Sequence, residues 1–135
     1  MKAYKITLHD ERPMTMNGFY SGRHWAVRKN ENDRVHALVA AHLPRDKQGN
    51  KITLPFRWTP VDIVCTVYFK GRMQDSGNIS TKPYIDALIG ELIADDTPEY
   101  VHSVTTASYK DNDSPRYEIR ISEAAYRSWR GVSDD

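Results

Sequence analysis

The chain has 135 residues, enough for one domain that buries its own core without disulfides or a structural metal. Hydrophobic residues make up 39% and charged residues 27%, which excludes a disordered or fibrous chain, and a single cysteine excludes a disulfide framework and a zinc quartet. The formal net charge is +1 and the pI near 7.9, so no global basic excess announces a nucleic-acid partner.

Residues 2–8 alternate as a first strand, and the stretch from His9 to Pro13 breaks it. A long loop follows. From about Trp25 to Leu43 the apolar residues Val35, Leu38, Val39 and Leu43 recur at helical spacing with charges on the other face, predicting an amphipathic helix that Pro44 ends. Residues 45–60 are polar and rich in turn formers, and read as a flexible excursion. Val61 to Phe69 is a nearly continuous run of β-branched and aromatic residues, predicting a central, well-buried strand with Cys65 as an inert buried thiol rather than a nucleophile.

Gly71 to Ser80 leads into a second helix predicted from about Lys82 to Ile93, with Pro83 in its first turn and Ile85, Leu88, Ile89 and Leu92 as its buried stripe. Two strands, about Tyr100 to Tyr109 and Tyr117 to Ile121, flank Asp111-Asn112-Asp113-Ser114-Pro115 and read as a hairpin. The tail from about residue 123, with Tyr126 and Trp129, reads as a short helix or a flexible or partner-contacting arm. The order β-α-β-α-β-β makes an α+β domain over residues 1–135, with a mixed sheet and two main helices. No apolar run reaches membrane-spanning length and the N-terminal stretch lacks that of a signal peptide, so the expected location is the cytoplasm, with no membrane partner.

The charge is segregated. Residues 22–34 and 70–72 are locally basic, while 91–99 and the last three residues lean acidic. Asn17, Tyr20, Arg23, His24, Trp25, Arg28 and Lys29 mix cations with aromatics, as phosphate-binding loops do; the alternative is a solvated helix start with Trp25 in the core.

The chemistry concentrates in Asp75-Ser-Gly-Asn78-Ile-Ser-Thr-Lys82-Pro-Tyr-Ile-Asp86-Ala-Leu and the following Asp95-Asp96. Carboxylates flank the predicted second helix on both sides with a lysine between them, a supply of hard oxygen ligands suited to Mg²⁺ and phosphodiester hydrolysis. Asp95 and Asp96 at the helix C-terminus and Lys82 at its N-terminus all oppose the helix dipole, at a cost of up to about 1 kcal/mol each when exposed, so ordinary solvated loop charges are the competing reading. Asp86 lies four residues after Lys82 and pairs with it on one helix face, which on its own is a surface ion pair of small value. Asn78 caps the helix approach or orients a ligand.

This pattern, Asp-x-x-Asn, then a lysine, then Asp-Ala-Leu four residues after it, then Asp-Asp, resembles the RusA family of crossover junction endodeoxyribonucleases, found widely in phages and prophages. His24-Trp25-x-x-Arg28 is similar to the start of phage-encoded members. The resemblance runs from the first strand to the closing strands and leaves out residues 45–58 and the tail. It implies a RusA-like homodimer that binds four-way junctions and cuts them with Mg²⁺, for which Mn²⁺ would substitute. Position by position, it implies Asp75, Lys82, Asp95 and Asp96 as the catalytic set, with Asp75, Asp96 and Asp95 as metal ligands and Asp96 the better ligand of the distal pair. Asp86 matches a helix aspartate of structural role. Arg23, His24, Arg28, Lys29, Lys70, Arg72 and Asn78 are the DNA-binding candidates.

One position departs from the family. Where the motif reads Asp-x-Asp-Asn, this chain has Gly77 in place of the second carboxylate. Such a loss weakens Mg²⁺ binding or abolishes cleavage unless a water or another carboxylate such as Asp95 compensates. The competing expectations are a catalytically silent relative that binds branched DNA or a replication partner, and an unrelated α+β interaction domain. A straight helix of about 12 residues would separate Asp75 from Asp96 by roughly 18 Å, so without a chain reversal a shared ion would need the partner subunit.

Overall fold

The computed structural model describes residues 3–15, 25–52 and 57–124. The elements are β1 (Ala3–His9), α1 (Trp25–Ala40), β2 (Val61–Phe69), a single 3₁₀ turn (Ser76–Asn78), α2 (Lys82–Asp86), β3 (Val101–Lys110) and β4 (Arg116–Glu123). They form the expected α+β arrangement around a four-stranded sheet of order β1-β4-β2-β3. The sheet is mixed: β2 pairs parallel with β3 and antiparallel with β4, which in turn pairs antiparallel with β1.

Strand β2 is central, and its side chains alternate strictly. Val61, Ile63, Cys65, Val67 and Phe69 are at most 1% exposed, whereas Asp62, Val64, Thr66 and Tyr68 are half-buried. The unbroken apolar run therefore does not mark burial on both faces. The core lies on one face, where Ile6 and Leu8 of β1 and Tyr117, Ile119 and Ile121 of β4 join the inward row of β2 beneath Val35, Val39, Tyr84, Leu88, Leu92 and Ile93. Fully burying an Ile, Val or Leu contributes about 1.5–3 kcal/mol, so this row dominates the stability of the sheet.

Three expectations are corrected. β3 and β4 do not form a hairpin, because β2 lies between them and both pair with it. A turn-rich link between two strand-like runs reads the same whether the strands pair or straddle a third, and only the long-range register decides. The second helix stops at Asp86 rather than Ile93. Of the expected stripe Ile85, Leu88 and Leu92 are buried and Ile89 is half-buried, while Ile93, outside that stripe, is buried too; the chain reverses at Gly90, whose φ of +80° suits glycine, and Gly90 N–H donates to Ile93 O (2.8 Å) and Ile93 N–H to Leu88 O (3.3 Å). No straight rod joins Asp75 to Asp96, yet the two still lie toward opposite ends of β3, Asp96 before its start and Asp75 beside Thr106–Tyr109, so one subunit does not bring them together.

The polar stretch after Pro44 is built rather than loose as far as residue 52. Asp46 Oδ1 accepts the N–H groups of Gln48 and Asn50 (2.9 Å each), and Lys51 pairs with Glu91 at 2.6 Å. Trp25 is 62% exposed, so it is no core residue. The tail beyond residue 124 lies outside the described residues. Among the described residues no helix is long and apolar enough to cross a membrane.

Candidate functional site

At the carboxyl end of β2 the chain leaves the sheet through exposed Lys70, Gly71 and Arg72, and then enters the 3₁₀ turn that leads to α2. Carboxyl ends of parallel strands at such departures are where α/β sheets commonly place ligands. Here an open groove of about 400 Å³ is lined by Arg12, Thr15, Arg72, Gln74, Asp75 and Asn78. Two guanidinium groups, a carboxylate and two amides thus share one concavity.

Backbone and side-chain links hold them in place. Arg12 lies with its guanidinium carbon 4.9 Å from the Phe69 ring centroid and donates to Arg72 O at 3.1 Å, which ties the end of β1 to the end of β2. Thr15 forms an isolated antiparallel bridge with Ile79. Asn78 N–H donates to Asp75 O at 2.9 Å, closing the 3₁₀ turn. Gln74 donates from Nε2 to Pro13 O at 3.2 Å, and Ser108 Oγ donates to Gln74 O at 2.7 Å, which docks the segment on β3. Sequence reading singled out Asp75, Arg72 and Asn78 here; it missed Arg12, because a lone arginine in a strand-breaking stretch carries no periodic or motif signal.

The other expected residues are dispersed. Lys82 opens α2 and reaches Asp86 at 3.7 Å, with side-chain exposures of 60% and 28%, as the i,i+4 spacing predicts. The N-cap of α2 is Thr81 rather than Asn78. Asp95 and Asp96 are neighbours joined by a bond from Asp96 N–H to Asp95 Oδ1 of 2.8 Å, and they precede the start of β3, whereas Asp75 packs beside Thr106–Tyr109 toward its other end. Among the described residues, no three of His, Cys, Asp and Glu gather as a group able to hold a metal ion. Lys29 on α1 pairs with Asp33 at 2.8 Å, and half-buried Arg28 lies one position before it. Arg23 and His24, with Asn17 and Tyr20, lie outside the described residues.

One carboxylate beside two guanidinium groups is a sparse donor set for a hard cation, which would keep most of its waters here. Asp75 is the groove's one carboxylate among the described lining residues, and the adjacent Gln74 carries a buried amide oxygen with no hydrogen-bond partner. Mg²⁺ keeps several waters and takes one or two carboxylates, so of these residues Asp75 would hold it. Gly77, the position of the missing carboxylate, lies outside the left-handed backbone region, and a Cβ there would meet nothing within 4 Å. No backbone or packing constraint demands glycine.

Beneath the site runs a buried polar network that the sequence did not reveal. Glu11, only 7% exposed at its side chain, accepts two bonds from Arg34 of α1 (2.9 and 2.8 Å) and one from the Tyr84 hydroxyl of α2 (2.5 Å). Arg34 also reaches Glu31 at 2.6 Å. Burial, followed by the bond to Glu11, raises the Tyr84 hydroxyl above its ordinary range, and the same carboxylate raises Arg34. Tyr84 stacks on Tyr117 at 3.9 Å and 16°, and Tyr117 donates to Ser80 O at 2.8 Å. Glu11 immediately precedes Arg12, and Ser80 lies two residues after Asn78, so the network fixes both walls of the groove.

No family model matches the chain, and no curated protein matches it.

Proposed function

We propose that this chain is a RusA-like, Mg²⁺-dependent endonuclease that acts on branched DNA as a homodimer. The observation that carries the reading is the Arg12–Arg72–Asp75–Asn78 groove at the carboxyl end of β2, which sets two phosphate-binding forks beside Asp75 and Asn78, the two of these residues that belong to the motif. Arginine's planar fork matches phosphate oxygens bidentately, so Arg12 and Arg72 hold the backbone while Asn78 orients it. Mg²⁺ bound at Asp75 would polarise the phosphodiester and activate a water. Lys82, which opens α2 outside the groove's lining and pairs with Asp86, would turn from that pair to steady the charge that develops on the phosphate. Recognition of this kind reads shape and phosphates, and its affinity falls steeply with salt.

A second reading, a silent relative that binds branched DNA without cutting it, is favoured by Gly77 and by the single carboxylate among the groove's described lining residues. Thermal melting in Mg²⁺ separates the two. A metal present at ten times its dissociation constant and bound only by the native state stabilises by about 1.4 kcal/mol, so the leading reading expects a rise in Tm for the parent protein that Asp75→Asn abolishes. No rise in Mg²⁺ or in Mn²⁺, with intact junction binding, supports the silent binder. The homodimer is tested separately by light scattering on the eluted protein.

A further inference from the structure

The second face of the sheet is not used by the groove and carries a row of its own. The register places Tyr68 of β2 opposite Arg116 of β4 on one side and Tyr109 of β3 on the other. Arg116 lies with its guanidinium carbon 3.7 Å from the Tyr68 ring centroid, and the rings of Tyr68 and Tyr109 stack at 5.5 Å and 22°. The inner end of this row is fixed, since Arg116 donates to Glu118 (2.8 Å), Asp111 (3.0 Å) and Ser114 O (2.7 Å). The outer end is open: β3 is an edge strand, and Tyr109 is 54% exposed.

An open groove of about 540 Å³ runs along this edge, with Thr106 to Tyr109 on one wall and Met73 to Ser76 on the other. Tyr109 and Asp75 thus line the same groove. Lys70, Arg72 and Lys110 are exposed at this end of the sheet, and Arg120 is exposed on the open face. Glu118 and Asp111 are already engaged by Arg116. A stack of flat π-systems ending in an open ring, beside cations that can follow a phosphate backbone, complements an unpaired strand rather than a duplex whose bases are already stacked.

We propose that Tyr109, backed by Tyr68 and Arg116, is a base-stacking platform for unpaired nucleotides of DNA that passes along the β3 edge toward Asp75. The platform rests on the nuclease reading and gives it a source of selectivity, because branch points offer unstacked bases and intact duplex does not.

Anisotropy of a fluorescein-labelled oligothymidylate and of a labelled four-way junction, measured with the full chain at low salt, tests it. Tyr109→Ala is expected to bind the oligothymidylate about tenfold more weakly and Tyr109→Phe to stay within about twofold of the parent, as ring stacking requires. The exposed position leaves folding intact, which a thermal melt of each variant confirms. Equal oligothymidylate affinity for the parent and Tyr109→Ala overturns the platform. A parent that binds the junction but no oligothymidylate overturns the platform alone and leaves the nuclease reading standing. A parent that binds neither overturns both.

Discussion

Removing the acceptor at the centre of the Glu11–Arg34–Tyr84 network should cost more than removing one of its donors. Tyr84→Phe deletes one buried hydroxyl and its 2.5 Å bond, while Glu11 keeps both bonds to Arg34, so a charge-assisted bond worth about 1–2 kcal/mol is lost. Glu11→Ala strands two donors. The Tyr84 hydroxyl, left buried without its acceptor, costs about 1–3 kcal/mol. The Arg34 side chain is 45% exposed and keeps Glu31, so screening limits its share to about 1 kcal/mol. The sum is about 2–4 kcal/mol for Glu11→Ala. The double variant should fall short of additivity by about 1–2 kcal/mol, because the Tyr84–Glu11 bond can be lost only once. Urea denaturation followed by circular dichroism reads all three values. Single costs below about 0.5 kcal/mol, or strict additivity, would refute the network as a structural element.

Other predictions follow from single residues. Burial pushes the Cys65 thiol up from 9.0 to about 11, so a thiol reagent at pH 8 should label the native protein no faster than it unfolds. The raised value also means that the Cys65 contribution to stability is complete below pH 9.0 and is lost as pH climbs through about 11. The tyrosines Tyr84 and Tyr117, raised chiefly by burial, act in the same direction, and Tm should fall across that alkaline window; a Tm flat to pH 11 would contradict the assignment. Gly77→Asp should fold with a Tm within about 2 °C of the parent, since exposed substitutions free of strain stay within about 0.5 kcal/mol; a large drop would show a constraint at Gly77. Arg12→Ala should weaken junction binding at every sequence and lower the salt slope by about one, as losing one phosphate contact does; an unchanged slope would remove Arg12 from the interface.

The elements themselves were legible because their signals are local: the β-branched and aromatic run of β2, the Val35/Val39 stripe of α1, the Pro83 start of α2. The strand order was not, because the link from Lys110 to Arg116 looks alike for paired strands and for strands that straddle β2. Burial of Ile85, Leu88 and Leu92 agrees with the expected stripe, while Ile89 is only half-buried and Ile93 is buried outside it; helical spacing cannot distinguish a helix from a reversal at Gly90 that buries nearly the same residues. In the site, Asp75, Arg72 and Asn78 share a groove, Lys82 pairs with Asp86 as its spacing required, and Asp95 and Asp96 lie before the far end of β3. Arg12, Glu11 and Arg34 escaped because they act through contacts distant in sequence, which no spacing rule reaches.

The most direct test of the central claim is cleavage of an end-labelled four-way junction in Mg²⁺ and in Mn²⁺ by the parent protein and by Asp75→Asn. The Asp75 groove predicts paired, symmetric nicks from the parent and none from Asp75→Asn, which should still bind the junction. Nicks that persist undiminished in Asp75→Asn would place the chemistry elsewhere, and a parent that binds the junction without cutting it in either metal would contradict the nuclease reading.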